Sequence, residues 1–183
     1  MTKRTFLAIN LPNEIKEKLK EPMEKLKKLN PNHAIRWVSP ENLHLTLHFF
    51  GDLNEKQIEL AKEGIEEITK RHRSFSIVVT GEFGCFPNEQ NPRVFFVKIK
   101  ENKQIKDLIR ELEVMLQNLK FKVDTRPWQG HITLGRIKNH AKCKTGDVKC
   151  EPLIFEVKSI ELMESKLTPE GSIYSVIESF PLK

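Results

Sequence analysis

One order of patterns occurs twice in this chain, and it limits what the chain can fold into. Arg4-Thr-Phe-Leu-Ala-Ile9 reads as a strand. After it, Leu11, Ile15, Leu19, Met23, Leu26 and Leu29 recur every three or four residues, the spacing of an amphipathic helix in which Pro22 marks a possible kink or break. Ile35-Arg-Trp-Val38 is a short extended piece, and Leu43-His-Leu-Thr-Leu-His-Phe-Phe50 alternates as a strand up to Gly51-Asp52. The same order returns from Arg93. Arg93-Val-Phe-Phe-Val-Lys-Ile99 is a strand, and Ile105, Leu108, Leu112, Met115 and Leu119 mark a helix. Phe121–Thr125 is extended, and His131-Ile-Thr-Leu-Gly-Arg-Ile137 is a strand.

The spacings agree as well as the order. Arg4 to His44 is 40 residues and Arg93 to His131 is 38, and both opening strands carry Arg-x-Phe. A period this long is a duplication and not a solenoid. The remaining segments supply a helix at about 54–70, a strand at about 74–84, a lysine-rich loop over 138–150, and a hairpin of strands at about 152–163 and 172–180. No linker separates independent domains. The expected architecture is one α+β domain over 1–183, built as two pseudo-two-fold-related lobes (repeat units about 4–50 and 93–137) with a central cleft.

Within the repeats sit the sharpest signals, His44-Leu-Thr46-Leu47 and His131-Ile-Thr133-Leu134. Six histidines, nine threonines and 19 leucines in 183 positions give a chance expectation of about 0.03 His-x-Thr-Leu strings, and the chain has two. In a strand, residues i and i+2 share a face about 6.7 Å apart, so each histidine projects beside its threonine while Leu45, Leu47, Ile132 and Leu134 face a core. Two such strands about a pseudo-two-fold present His-Thr against Thr-His. That suits a phosphodiester: a neutral imidazole takes a proton from water, an imidazolium gives one to the leaving oxygen, and the hydroxyls donate to phosphate oxygens. No metal or cofactor is required.

Strict alternation puts His48 on the same face as His44, but about 13 Å away, too far for the two to share an ion without outside ligands. Arg136 lies opposite His131 unless Gly135 bends or bulges the strand. Arg126 and Trp128 lead into His131 as candidate substrate contacts, with aromatic core packing the competing role for Trp128. Arg4 and Arg93 match in position and suggest a shared role. Tyr174, the only tyrosine, reads as structural, and His33, His72 and His140 fall in loops or at helix ends.

Composition adds bounds. The net charge is +6, with residues 1–150 at +9 and the remainder at −3, which favours a polyanionic partner such as RNA. Cys85, Cys143 and Cys150 are odd in number and lack C-x-x-C spacing, which predicts reduced structural thiols instead of a disulfide framework or a zinc site. No apolar run approaches the roughly 20 residues of a membrane span, and the first ten residues are too polar for a signal peptide. A cytoplasmic monomer is expected.

With these motifs in view, the chain resembles the 2H phosphoesterase superfamily and, within it, the LigT-like RNA 2′,3′-cyclic phosphodiesterases, historically called 2′-5′ RNA ligases. Besides the two His-x-Thr strings, the resemblance rests on Arg4-Thr-Phe-Leu-Ala-Ile9, Arg36-Trp-Val38, Phe86-Pro87, Pro92-Arg-Val-Phe95 and Glu164–Tyr174. It implies antiparallel sheets backed by helices with both motifs facing the cleft. It also implies metal-independent hydrolysis of a terminal RNA 2′,3′-cyclic phosphate to a 2′-phosphomonoester. In that scheme His44 donates a proton to the leaving 3′-oxygen, His131 activates water, and Thr46 and Thr133 grip the phosphate. Two alternatives stay open: 2′-5′ joining of RNA halves in the same cleft, and RNA binding without catalysis.

Overall fold

The computed structural model describes residues 1–31, 35–124, 126–138, 141–169 and 171–183. His33, Thr125 and His140 lie outside the described residues. The elements, in chain order, are β1 (Thr2–Asn10), α1 (Asn13–Leu29), β2 (Ile35–Trp37), a 3₁₀ turn (Pro40–Asn42), β3 (His44–Asn54), α2 (Glu55–Thr69) and β4 (Phe75–Phe86). They continue with β5 (Val94–Lys100), α3 (Lys103–Asn118), β6 (His131–Ile137), β7 (Leu153–Val157), β8 (Ser159–Leu167) and β9 (Ser172–Pro181).

The two expected sheets are halves of one antiparallel sheet, in the order β7-β4-β5-β6-β3-β1-β8-β9 with β2 on β6. Each half places a motif strand at the seam, and the seam is narrow: β3 and β6 pair only at Leu45 and Ile132. The single expected strand over 152–163 is two strands. β7 belongs to β4 and β8 to β1 and β9, with only Lys158 between them. One residue cannot cross an open eight-strand sheet, so the sheet curls until its distant strands approach. Leu182 N–H donates to the Lys158 carbonyl at 2.8 Å and Lys183 N–H to the His72 carbonyl at 2.8 Å, which ties that end together.

The helices form because their apolar residues fall on one stripe. Ile15, Leu19, Met23 and Leu26 of α1 and Ile105, Leu108, Leu112 and Leu116 of α3 are all buried, each such side chain contributing roughly 1.5–3 kcal/mol of burial. α1 runs unbroken through Pro22, and Leu29, at the end of its stripe, is 39% exposed. Asn54 and Gln57 make a reciprocal capping box at the start of α2, and Asn102 caps α3 through Ile105 N–H. These stripes share a core with Leu45, Leu47, Ile132 and Leu134. The motif histidines therefore stand on the face away from the helices.

Three local expectations are corrected. Residues 121–124 form no strand, because Phe121 N–H is spent on the Leu116 carbonyl in closing α3. Arg4 and Arg93 are not equivalent: Arg4 lies opposite Asp52, whereas Val94, the residue after Arg93, lies opposite Arg136. Cys85 and Cys143 are joined in a disulfide across 58 residues and only Cys150 is free; sequence spacing carries no information about that proximity. Among the described residues, no helix is long and apolar enough to cross a membrane.

Candidate active site

Both motif strands break their alternation at the same place. Along β3, Ala8 pairs with Thr46 and Leu7 with His48, leaving Leu47 as an extra residue. Along β6, Phe96 pairs with Thr133 and Phe95 with Gly135, leaving Leu134 extra. In a bulge the extra residue and its successor face the same side, so the alternation restarts one residue late. His48 thereby turns to the helix side with Leu47. Its ring meets Phe50 edge-on at 4.8 Å, and its buried Nε2 has no hydrogen-bond partner among the described residues. The expectation that His48 shares the face of His44 is corrected. The same device returns Arg136 to the face of His131 and Thr133, and Phe49 to the face of His44 and Thr46. Gly135 is required there: a Cβ on it would stand 2.8 Å from Ile35 Cγ2 on β2.

Each imidazole is fixed by its own backbone. His44 Nδ1 lies 2.7 Å from the Asn42 carbonyl, and His131 Nδ1 lies 2.7 Å from the Gln129 carbonyl. A carbonyl only accepts, so both Nδ1 atoms carry hydrogen and both Nε2 atoms are left to the cleft. The Leu45–Ile132 pair sets the register across the seam, with His44 beside Thr133 and Thr46 beside His131. That register sets the two histidines diagonally across the Leu45–Ile132 pair. Among the described residues, neither threonine hydroxyl has a hydrogen-bond partner, and both side chains are half-buried.

Burial pushes both imidazole pKa values below the ordinary value. The carbonyl bonds work in the opposite direction, and the Arg136 guanidinium lowers both further. For His44, Lys16 and His131 add to that effect. Aromatic rings support both groups, a signal that alternation alone did not assign. Phe6 and Tyr174 lie 5.0 and 5.2 Å from the His44 ring, and Phe86 and Phe96 lie 4.8 and 5.4 Å from the His131 ring. Tyr174 reaches its place because Asn42 Nδ2 donates to the Ser172 carbonyl and Arg36 Nη2 donates to the Pro169 carbonyl, which dock the β8–β9 hairpin.

Two expected substrate contacts are not brought to this cleft. Arg126 is 85% exposed, and its guanidinium donates to the Asp124 carboxylate along one edge, through Nε and Nη2; that cation holds the Asp124 carboxyl well below the usual carboxylate range. Trp128 packs against the core and donates its indole N–H to the Thr46 carbonyl at 3.1 Å, fastening the lead-in of one motif to the strand of the other. Both line a separate concavity of about 550 Å³ against Arg110 and Glu113 of α3. Among the described residues, no group of three or more His, Cys, Asp or Glu side chains is placed to hold a metal ion.

The family model described as LigT like Phosphoesterase matches this chain twice, over residues 9–96 and 97–174. The chain is a LigT-like phosphoesterase. Its relatives in sequence include the RNA 2′,3′-cyclic phosphodiesterase of Thermotoga maritima, 34% identical over 95% of this chain and 92% of the relative. The protein of the same name from Archaeoglobus fulgidus is 34% identical over 97% and 99%. Among solved structures, TT0787 of Thermus thermophilus superposes with a TM-score of 0.81 at 30% identity, covering 98% of this chain and 97% of that one. Escherichia coli LigT complexed with 3′-AMP shares the fold, with a TM-score of 0.84 at 22% identity over 100% and 99% of the two chains. As in the LigT-like family model, the unit of this phosphoesterase is half the chain, and the duplicated bulges are its structural counterpart.

Proposed function

We propose that this phosphoesterase hydrolyses the terminal 2′,3′-cyclic phosphate of RNA to a 2′-phosphomonoester with two histidines and no metal ion. The observation that carries the reading is the matched pair of imidazoles, each with Nδ1–H held by a backbone carbonyl and Nε2 left for proton transfer. The relatives in Thermotoga and Archaeoglobus carry the name of this activity over nearly the whole chain.

Water oxygen attacks phosphorus while neutral His131 takes its proton through Nε2. The bond from phosphorus to the 3′-oxygen breaks, and protonated His44 supplies that oxygen with hydrogen through Nε2. The hydroxyls of Thr46 and Thr133 donate to the non-bridging oxygens, and Arg136 offsets the charge that gathers there. The cycle leaves His44 neutral and His131 protonated, and exchange with solvent resets both. RNA is drawn to the basic body of the chain, residues 1–150.

The test is an oligoribonucleotide ending in a 2′,3′-cyclic phosphate, incubated with the protein and excess EDTA, with products resolved by chromatography. A 2′-phosphate end is expected. A 3′-phosphate end, or no turnover until a divalent metal is restored, overturns the reading. A joined 2′-5′ product in the presence of 5′-hydroxyl RNA would assign the cleft to ligation instead.

A further inference from the structure

The two histidines are held alike, but what stands behind the two holding peptides differs. The Gln129 carbonyl that accepts from His131 Nδ1 and the Gly130 N–H belong to one peptide unit. At its other end, Gly130 N–H donates to Glu101 Oε1 at 3.0 Å. A chain of hydrogen bonds thus runs from a carboxylate through one planar amide to the imidazole. In such a chain each bond polarises the next: the carboxylate draws on the N–H, the carbonyl gains negative character, and the imidazolium is favoured. At the other histidine the matching peptide is Asn42–Leu43, whose Leu43 N–H meets the neutral Pro40 carbonyl at 3.2 Å.

The geometry points to Glu101 as a positioning residue that orients His131 and sets its basicity through the Gln129–Gly130 peptide. The inference rests on the reading of His131 as one of the two proton-transfer groups. The surroundings of Glu101 make it a built feature. Gly130 can make this contact only without a side chain, since a Cβ on it would stand 2.5 Å from Ile99 Cδ1 and 2.9 Å from Trp128 Cη2. Its carbonyl accepts from Ile99 N–H on β5, so the next peptide, Gly130–His131, is tied to the neighbouring strand. The carboxylate is the more solvent-shielded member of its ion pair with Lys106 at 3.5 Å, with exposures of 28% and 62%.

Other charged groups face His131, and none duplicates this contact. Arg136, farther along β6, and His44, across the seam on β3, are its cationic or titratable neighbours. Lys98 on β5 lies in register with His131 but is paired with Glu82 at 3.5 Å. Among these groups Glu101 is the anion joined to the His131 ring through hydrogen bonds, and Lys106 is its counter-charge.

The experiment follows the histidine ring resonances by NMR as a function of pH in Glu101→Gln and Lys106→Gln proteins without substrate, so its outcome does not depend on which RNA is hydrolysed. Gln at 101 keeps an acceptor for Gly130 N–H and removes only the charge. The His131 midpoint should fall by about half a pH unit in that variant and rise in Lys106→Gln, while His44 stays within a tenth of a unit. Glu101→Ala, which also frees the peptide, should lower kcat roughly tenfold with little change in KM, and Glu101→Gln should recover most of that loss. The inference is overturned if His131 titrates as in the parent protein in Glu101→Gln, if both histidines move together, or if both substitutions shift His131 the same way. If the Glu101 variants do not fold, Lys106→Gln, which leaves the Glu101 contact in place, decides alone: no rise in the His131 midpoint overturns it.

Discussion

Leu47 and Leu134 are equivalent residues of the two halves: each is the unpaired residue of a bulge that directly follows its motif threonine. The bulges decide which side chains reach the cleft. Without them His48 would join His44, and Arg136 would point toward the helices.

Arg136 is the first place to test this. Burial and the Arg136 guanidinium both hold the imidazoles below 6.5, and the proposed reaction needs one ring protonated and one neutral. The kcat/KM profile should peak below pH 6.5, because the protonated ring is lost as pH rises through a lowered pKa. Arg136→Ala should reduce kcat/KM and move the optimum upward, since removing a cation raises both values. Arg136→Lys should leave the optimum in place. An optimum that stays fixed in Arg136→Ala removes Arg136 from the cleft.

The threonines should act through the transition state. Thr46→Val and Thr133→Val keep shape and remove one hydroxyl each, with an expected loss of about 10- to 100-fold in kcat and less than threefold in KM. The two losses should be similar because the sites are related by the duplication. A rise in KM with kcat unchanged would assign the hydroxyls to ground-state binding alone.

His48 should govern stability. Burial lowers its pKa, with the Lys122 backbone and Asp124 pulling the other way. The unfolded chain therefore takes up a proton near pH 6.5 that the folded protein resists, and stability falls as pH drops below that value. His48→Phe removes this uptake and the buried Nε2. Chemical denaturation should show a flatter dependence between pH 6.5 and 5 for the variant, with turnover at pH 7 within twofold of the parent. An unchanged pH dependence would show that His48 is protonated as easily folded as unfolded.

Trp128→Phe should cost about 1 kcal/mol, the worth of one hydrogen bond, from the loss of the Thr46 carbonyl contact. Arg126→Ala should change KM less than twofold, since its guanidinium is engaged by Asp124 at the surface. Thermal unfolding and steady-state kinetics separate these outcomes. A tenfold rise in KM in either variant would mean that RNA reaches beyond the cleft to the α3 side.

Much of this arrangement was legible in the sequence because period and duplication are local signals. The order of strands and helices, the apolar stripes of α1 and α3, and the motif pair at His44 and His131 all follow from them. What escaped was set by tertiary register. A bulge is not written in a pattern of alternation, although Gly135 hinted at one in β6 and nothing did in β3. The shared Arg-x-Phe suggested an equivalence that strand pairing denies, because pairing follows the partner strand and not the best local match. The crossover at Lys158 was hidden because β7 and β8 read as one alternating strand. Tyr174 was placed beside His44 by bonds from Asn42 and Arg36, 130 and 133 positions away from the hairpin residues they hold.

The duplicated bulge also bears on direction. A frame with full two-fold symmetry would accept a cyclic phosphate equally well in either orientation and could not tell its 2′-oxygen from its 3′-oxygen. Any regiochemical preference must come from positions where the halves differ. Five residues beyond each motif histidine, on the cleft face, one half presents the cation Arg136 and the other presents the exposed ring of Phe49. A charge on one wall and an aromatic surface on the other give an otherwise even-handed cleft a left and a right.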